Sequence, residues 1–323
     1  MDTAAWYRWF AEHEARGSSP QYERLATAVA DSDELLEWLS LLPGSKRQPN
    51  LLFASVRFLG GATDSVDAFT AFVRSDSERL ASTMRDRSTQ TNEVARCSAF
   101  LPLLAAIDGE VALIEVGASA GLCLFPDCYA YDYDGIELGD SSLEISVDTD
   151  GTVPPPTRLP MVTSRAGLDL HPLDVARHDD IAWLRACIWP EHDERRRRLD
   201  RAATIVADDP PNITRGDLRD ATLDLIEAAP RTATKVVFHS AVLAYVDEAS
   251  RFDFASMMRG VVAHRDDLVW LSNEGPSVVA GVNTTAASTV DCPDGAAFHL
   301  VRNGTELLAV TDPHGRWLRW ITR

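Results

Sequence analysis

Val111-Ala112-Leu113-Ile114-Glu115-Val116-Gly117-Ala118-Ser119-Ala120-Gly121-Leu122 is the stretch that decides how this chain folds. A β-branched apolar run carries one acid near its end and then breaks into small residues. That pattern predicts a buried parallel strand entering a tight turn and a helix N-terminus. Small residues let a ligand approach the backbone, N–H groups at a helix start attract negative charge, and a strand-end carboxylate accepts from ribose hydroxyls. The letters Gly117-Ala118-Ser119-Ala120-Gly121 also spell G-x-S-x-G, the nucleophile elbow of α/β-hydrolases. A nucleotide-type cofactor site and a serine nucleophile therefore compete for one turn.

Downstream, the expected helix is short of helix formers and Pro126 interrupts it early. Tyr129 to Tyr133 and Ser141 to Val147 alternate like strands before the loop Pro154-Pro155-Pro156, so an inserted hairpin and linker is expected over about 136–160. Arg165-Ala166-Gly167-Leu168-Asp169-Leu170 then reads as the next strand of the sheet. Its Asp169 falls at the carboxyl end, the usual level of a ribose-binding acid. Helices follow around Trp183, Leu184, Cys187 and Ile188, and from Glu191 to Val206. Arg195 to Arg198 turn about 100° per step and read as a solvated helix surface. Asp208-Asp209-Pro210-Pro211-Asn212 superficially resembles the Asp-Pro-Pro-Tyr motif of amino-directed methyltransferases, but it precedes a short strand instead of following a central one. That strand, Asn212 to Arg215, runs into Gly216-Asp217-Leu218, which makes Asp217 the candidate for contacting an adenine amino group.

Lys235-Val236-Val237-Phe238-His239-Ser240 is another buried strand with polar residues at its end, and Asp267 to Gly275 repeats the pattern with Glu274. Arg251 to Val262 is helical. Asn303-Gly304 between two apolar runs is a hairpin signal, and Trp317 to Trp320 extends the edge. Upstream, Trp6, Trp9, Phe10 and His13, then Tyr22, Leu25 and Val29, then Leu35 to Leu42 recur at helical spacing. Residues 1–105 are accordingly expected to form an all-helical cap, and 106–323 an α/β domain.

Composition narrows the functions. The 323 residues include 49 acidic and 31 basic side chains, a formal net charge of -18 that repels a phosphate backbone and argues against nucleic acid as a partner. No apolar run reaches membrane-spanning length, and the first residues lack the basic and apolar regions of a signal peptide, so the expected setting is cytoplasmic with no membrane partner. Five cysteines, Cys97, Cys123, Cys128, Cys187 and Cys292, are scattered without a CxxC pair and read as buried thiols with no metal site.

A hydrolase needs an acid and a histidine after Ser119. Asp247 or Asp291 offers the acid and His239, His264, His299 or His314 a histidine, so an acid followed by a histidine can be found, but no His-Gly-Gly-Gly element precedes the elbow. The alternation of strands and helices, closed by a hairpin, instead implies a mostly parallel sheet with a small-molecule ligand at the strands' carboxyl ends.

Val111 to Tyr133, with Arg165-x-Gly167-x-Asp169-x-x-Pro172-x-Asp174, Trp183-Leu184, Trp189-Pro190-Glu191 and His239-Ser240, resembles domain-of-unknown-function family 2332. That bacterial family is grouped with the S-adenosylmethionine-dependent methyltransferase fold. Its pattern has asparagine after the loop's leucine, where this chain has Cys123. The resemblance implies a Rossmann-like methyltransferase sheet, mostly parallel with a C-terminal antiparallel hairpin, behind an all-helical N-terminal region. It also implies S-adenosylmethionine as cofactor and an unidentified small-molecule acceptor. Glu115, Gly117, Ala118, Ser119 and Gly121 would border the cofactor, Asp169 would take the ribose, and Asp217 with Leu218 the adenine. His239 is the expected base, with Tyr245 and Glu274 as further candidates. A non-catalytic binding protein of the same fold is a third reading, because Ser119 and Ala120 stand where more glycine is common.

Overall fold

The computed structural model describes residues 2–151, 153–276, 278, 279, 281–293 and 296–321. Seven helices come first: α1 (Thr3–Phe10), α2 (Pro20–Ala30), α3 (Asp33–Ser40), α4 (Pro49–Phe58), α5 (Val66–Ser75), α6 (Ser77–Asp86) and α7 (Cys97–Ala105). Strands β1 (Glu110–Val116), β2 (Ala130–Tyr133), β3 (Ile136–Leu138), β4 (Glu144–Val147) and β5 (Met161–Asp169) follow. Then come α8 (His178–Cys187), α9 (Asp193–Ala207), β6 (Asn212–Arg215), α10 (Leu218–Ala228), β7 (Thr234–Ser240), α11 (Glu248–Val262) and β8 (Leu268–Glu274). The chain closes with β9 (Phe298–Arg302), β10 (Glu306–Thr311) and β11 (Leu318–Trp320). Among the described residues, no helix is long and apolar enough to cross a membrane.

These elements form two compact units, Met1–Thr91 with Ala176–Leu199, and Asn92–Val175 with Asp200–Arg323. The first is helical for local reasons. Ser19, Ser32 and Ser65 accept the backbone N–H three residues on and so cap α2, α3 and α5. Pro20 and Pro49 occupy first turns, where their missing N–H costs nothing. Phe53 anchors its core, with the rings of Tyr7, Phe10, Tyr22 and Phe69 at centroid distances between 4.7 and 6.2 Å. Residues 176–199 return to this unit. Trp183 Nε1–H donates to Ser88 O (3.0 Å), Trp189 Nε1–H to Asn50 Oδ1 (2.9 Å), and Glu191 accepts from the Ser19 hydroxyl (2.6 Å).

The second unit contains an eight-stranded sheet of order β11-β10-β9-β8-β7-β1-β5-β6. From β6 to β8 every pairing is parallel, and β9, β10 and β11 add an antiparallel meander. Asn303, Gly304 and Thr305 join β9 to β10, and the first two take φ of +53° and +67°, the left-handed values that favour asparagine and glycine in hairpin turns. After Glu110, every residue of β1 is buried, so both faces are covered and the continuous apolar run is explained. Ile114 and Val116 enter a core with Leu168, Leu218, Ile226, Val237, Phe254 and Trp270. The opposite face is covered by α7, whose Phe100 ring lies 5.2 Å from Phe238. That packing places α7 with the sheet, so the unit boundary falls at 91/92 where the sequence reading put it at 105/106.

The helix expected after Gly121 does not form. Two short 3-10 turns, Leu122–Leu124 and Pro126–Cys128, lead into a small sheet of order β3-β2-β4. The backbone groups a helix would use are bonded elsewhere: Leu122 N–H donates to Asn92 Oδ1 (3.0 Å), and Leu122 O accepts the Tyr129 hydroxyl (2.6 Å). Pro126 has no N–H to offer. The inserted region is therefore a three-stranded sheet in which β2 and β3 form a hairpin and β4 pairs parallel to β2.

Candidate functional site at the carboxyl edge of the sheet

The chain leaves β1 toward β5 and β6 on one side and returns to β7 and β8 on the other. The order thus reverses between β1 and β7, and an open α/β sheet leaves a crevice outside the strand ends at such a switch point. Gly117, Ser119 and Gly121 take φ of +75°, +54° and +73°, so alternate residues of the loop after β1 are left-handed. The loop is tied down by its N–H groups. Gly117 and Ala118 donate to Leu168 O (2.7 and 3.0 Å), and Ser119 donates to Asp169 Oδ2 (2.7 Å). Asp169 Oδ1 accepts from His171 N–H (2.7 Å), so this acid braces the loops after β1 and β5. The glycines are also needed for packing. A Cβ on Gly117 would meet Val242 Cγ2 at 2.3 Å, and one on Gly121 would meet Pro211 Cγ at 2.5 Å.

Glu115 lies one residue before the end of β1. It alternates away from Ile114 and Val116 and turns to the α7 face, where it is buried with Oε2 lacking a partner. Burial pushes its carboxyl well above the usual glutamate range; Cys123 and Asp169 push the same way, and Arg96 opposes them. The native state therefore holds a proton that the unfolded chain loses above about pH 4.3, and stability falls as pH rises from there through the raised native value. Glu115→Gln is expected to flatten that fall and to melt at a higher temperature than the parent at pH 8. Equal pH slopes for the two proteins, measured by thermal denaturation between pH 5 and 9, would contradict this.

Residues 92–96 roof this face. Asn92 takes the Leu122 N–H, the Cys123 thiol donates to Glu93 O (3.5 Å), and Arg96 donates to Pro313 O (2.8 Å) and Ser240 O (3.4 Å). Sequence reading passed over these residues. The available signal was a charge, Arg96, inside the apolar run Val94-Ala95-Arg96-Cys97, because a buried arginine needs built partners.

The end of β7 is arranged differently from the sequence expectation. His239 follows Val237 onto the apolar face and is fully buried. Trp270 Nε1–H donates to its Nε2 (3.0 Å), which fixes the tautomer, so Nδ1–H donates to Glu274 Oε1 (2.7 Å). Both ring nitrogens of His239 are thus engaged in the core, on the face away from Ser240. Glu274 also accepts from the N–H groups of Val242 (3.0 Å) and Leu243 (3.2 Å). It thus holds a turn in which Ala241, a non-glycine, has φ of +59°. Strain of this sort persists only where surrounding contacts impose it. Tyr245 stands at the rim of the edge, 73% exposed. Asp217 caps α10 by accepting from Arg219 N–H (2.9 Å), and the Arg219 side chain holds its carboxyl below the usual range. Leu218, the first residue of α10, is a core residue.

Glu115, Gly117, Ser119 and Asp169 thus meet at the switch point. His239 and Glu274 form a separate buried pair on the other face, and Tyr245 and Asp217 lie toward solvent. Ser240 and Asn273 are paired in register on β7 and β8, and each has an unpartnered buried polar atom, Oγ and Nδ2. This is a mixed α/β protein, mostly parallel in its sheet, with buried polar groups gathered where the strand order reverses. Residues 4–320 match the family model described as an uncharacterized protein conserved in bacteria (DUF2332), domain-of-unknown-function family 2332, and the chain belongs to that family. Among curated proteins, none matches the chain.

Proposed function

We propose that this protein is an S-adenosylmethionine-dependent methyltransferase acting on a small-molecule acceptor. The observation that carries the reading is the left-handed loop 117–121 at the point where the parallel order β6-β5-β1-β7-β8 reverses. With β1 counted first, those strands run 3-2-1-4-5, the doubly wound order that binds nucleotide cofactors at this crevice. At the loop, Gly117 and Gly121 keep side chains off the backbone where a cofactor would approach, and Asp169 fixes the loop's shape. Asp217 remains the candidate for an adenine amino group. When bound, S-adenosylmethionine supplies a methyl group already activated by the sulfonium charge. The chain's own task is then to orient the acceptor and exclude water.

One side chain stands in the way. Val242 fills the space above Gly117 and would have to rotate. Calorimetric titration with S-adenosylmethionine is expected to give saturable binding, and Val242→Ala is expected to tighten it severalfold by clearing the backbone. Absence of binding to both proteins would overturn the reading, and binding without transfer to any acceptor would favour the non-catalytic alternative. The hydrolase alternative draws on the left-handed Ser119, but that residue is 4% exposed and its loop is built around its N–H. Labelling by a fluorophosphonate probe, lost in Ser119→Ala, would be the result in its favour.

A further inference from the structure

We infer that the ends of β1, β7 and β8, on the face covered by α7, form a subsite for the carboxylate of a small organic acid, lined by Glu115, Ser240 and Asn273. Parallel partners share a face, and so do residues two apart on one strand. Glu115 is opposite Phe238, Phe238 is two residues before Ser240, and Ser240 is opposite Asn273, so all three polar side chains fall on one face of three adjacent strands. Strand spacing and rise put the Glu115 and Ser240 Cα atoms about 8 Å apart, and those of Ser240 and Asn273 about 5 Å apart. Ligand oxygens can bridge such a set.

Each of the three side chains has a buried polar atom without a partner: Glu115 Oε2, Ser240 Oγ and Asn273 Nδ2. Glu115 and Asn273 are 6% and 1% exposed. Three orphans on one patch need a common explanation, because buried polar atoms are nearly always satisfied. The lining is rich in donors. Thr311 donates to Asn273 Oδ1 (2.8 Å), which leaves the amide N–H groups as what Asn273 has to offer. Ser240 contributes an O–H, and burial pushes the Glu115 carboxyl upward, toward its neutral, donating form. The Arg96 guanidinium lies against Ser240 O and adds positive charge at that end of the set, while Asp169 acts against it at Glu115. Converging donors beside a cation select an oxyanion, and a carboxylate offers four lone pairs to them.

An alcohol or amine nucleophile has a proton to lose, and a hydroxyl, an amide and a neutral carboxyl are poor bases for taking it. A carboxylate has none to lose. The subsite thus names the acceptor class of the proposed transferase, and that extension rests on the methyltransferase reading, while the binding site itself does not. Arg96, which lies against Ser240 O, also donates to Pro313 O and so ties residues 92–96 to the β10–β11 turn beside the subsite.

Benzoate and butyrate are the probes, compared with benzyl alcohol and benzylamine, by saturation-transfer NMR and thermal denaturation of the full chain. Benzoate or butyrate is expected to bind at least about tenfold more tightly than the alcohol or amine, a difference of about 1.4 kcal/mol. Asn273→Asp, which sets a carboxylate against the ligand's own, is expected to abolish the signal, and Ser240→Ala to weaken it severalfold with folding intact by circular dichroism. If Asn273→Asp does not fold, Ser240→Ala carries the comparison. Equal binding of the alcohol or amine, unchanged carboxylate binding in Ser240→Ala, or no carboxylate binding overturns the subsite. Carboxylate binding without S-adenosylmethionine binding would instead leave the subsite standing and remove the transferase reading.

Discussion

Glu274→Ala is expected to destabilise the sheet-containing unit by about 3–5 kcal/mol, among the largest single-residue effects available in this protein. The carboxylate is 1% exposed and accepts from His239 Nδ1 and the N–H groups of Val242 and Leu243. Truncation leaves three buried donors facing a cavity, each costing about 1–3 kcal/mol where water cannot follow, and the costs do not simply add. The turn that holds Ala241 left-handed also loses its clamp. A drop in melting temperature of about 6–20 °C follows for a unit of this size. Glu274→Gln should fall between, because its amide keeps one acceptor for His239 but turns an NH2 group against backbone N–H groups. Urea denaturation followed by circular dichroism measures both. A loss below about 1 kcal/mol for alanine would mean that the His239–Glu274 pair is not a structural support.

The second large effect is expected at Gly315, in the turn between β10 and β11. Its φ is +78°, and a Cβ there would stand 2.3 Å from the carbonyl oxygen of Ala95, a backbone atom that cannot swing away. Gly315→Ala should cost about 2–4 kcal/mol, combining left-handed strain with displacement of one loop. It should also disturb Arg96, which is bonded to Pro313 in the same turn. Two other glycines separate the contributions. Gly109 has φ of +87° and nothing within 4 Å of an added Cβ, so Gly109→Ala should show the backbone cost alone, about 1–2 kcal/mol. The atoms nearest an added Cβ at Gly117 all belong to the Val242 side chain, so Val242→Ala should recover part of the loss in Gly117→Ala. Equal losses at positions 109 and 315 would show that the Ala95 contact is soft.

The sheet was legible because its strands are continuous apolar runs bounded by glycine, proline and acids, and Asn303-Gly304 names its own turn. The missing helix after Gly121 was half legible: Pro126 was visible, but the capture of Leu122 by Asn92 and Tyr129 depends on residues far from it in the sequence or across a turn. The placing of His239 turns on one step of alternation. Counting from Val237 sends His239 to the apolar face and Ser240 to the other, and the same count along Leu271-Ser272-Asn273-Glu274 separates Asn273 from Glu274. Asp169 was placed correctly at its strand end, but sequence could not show that both its oxygens hold backbone. Arg96 escaped because the run around it reads as helix core, and only the fold reveals that its partners come from β7 and the β10–β11 turn.

Residues 176–199 belong with the helical unit, where Trp189 reaches Asn50 and Glu191 reaches Ser19, so neither unit is one unbroken length of chain. For a polypeptide emerging from a ribosome this sets a timetable. The first 91 residues can form helices at once, yet they must wait for residue 199 before their last partners exist. At roughly 5–20 residues per second, that delay is about 5–20 s. During it, the docking surfaces for Trp183 and Trp189 lack the residues that cover them.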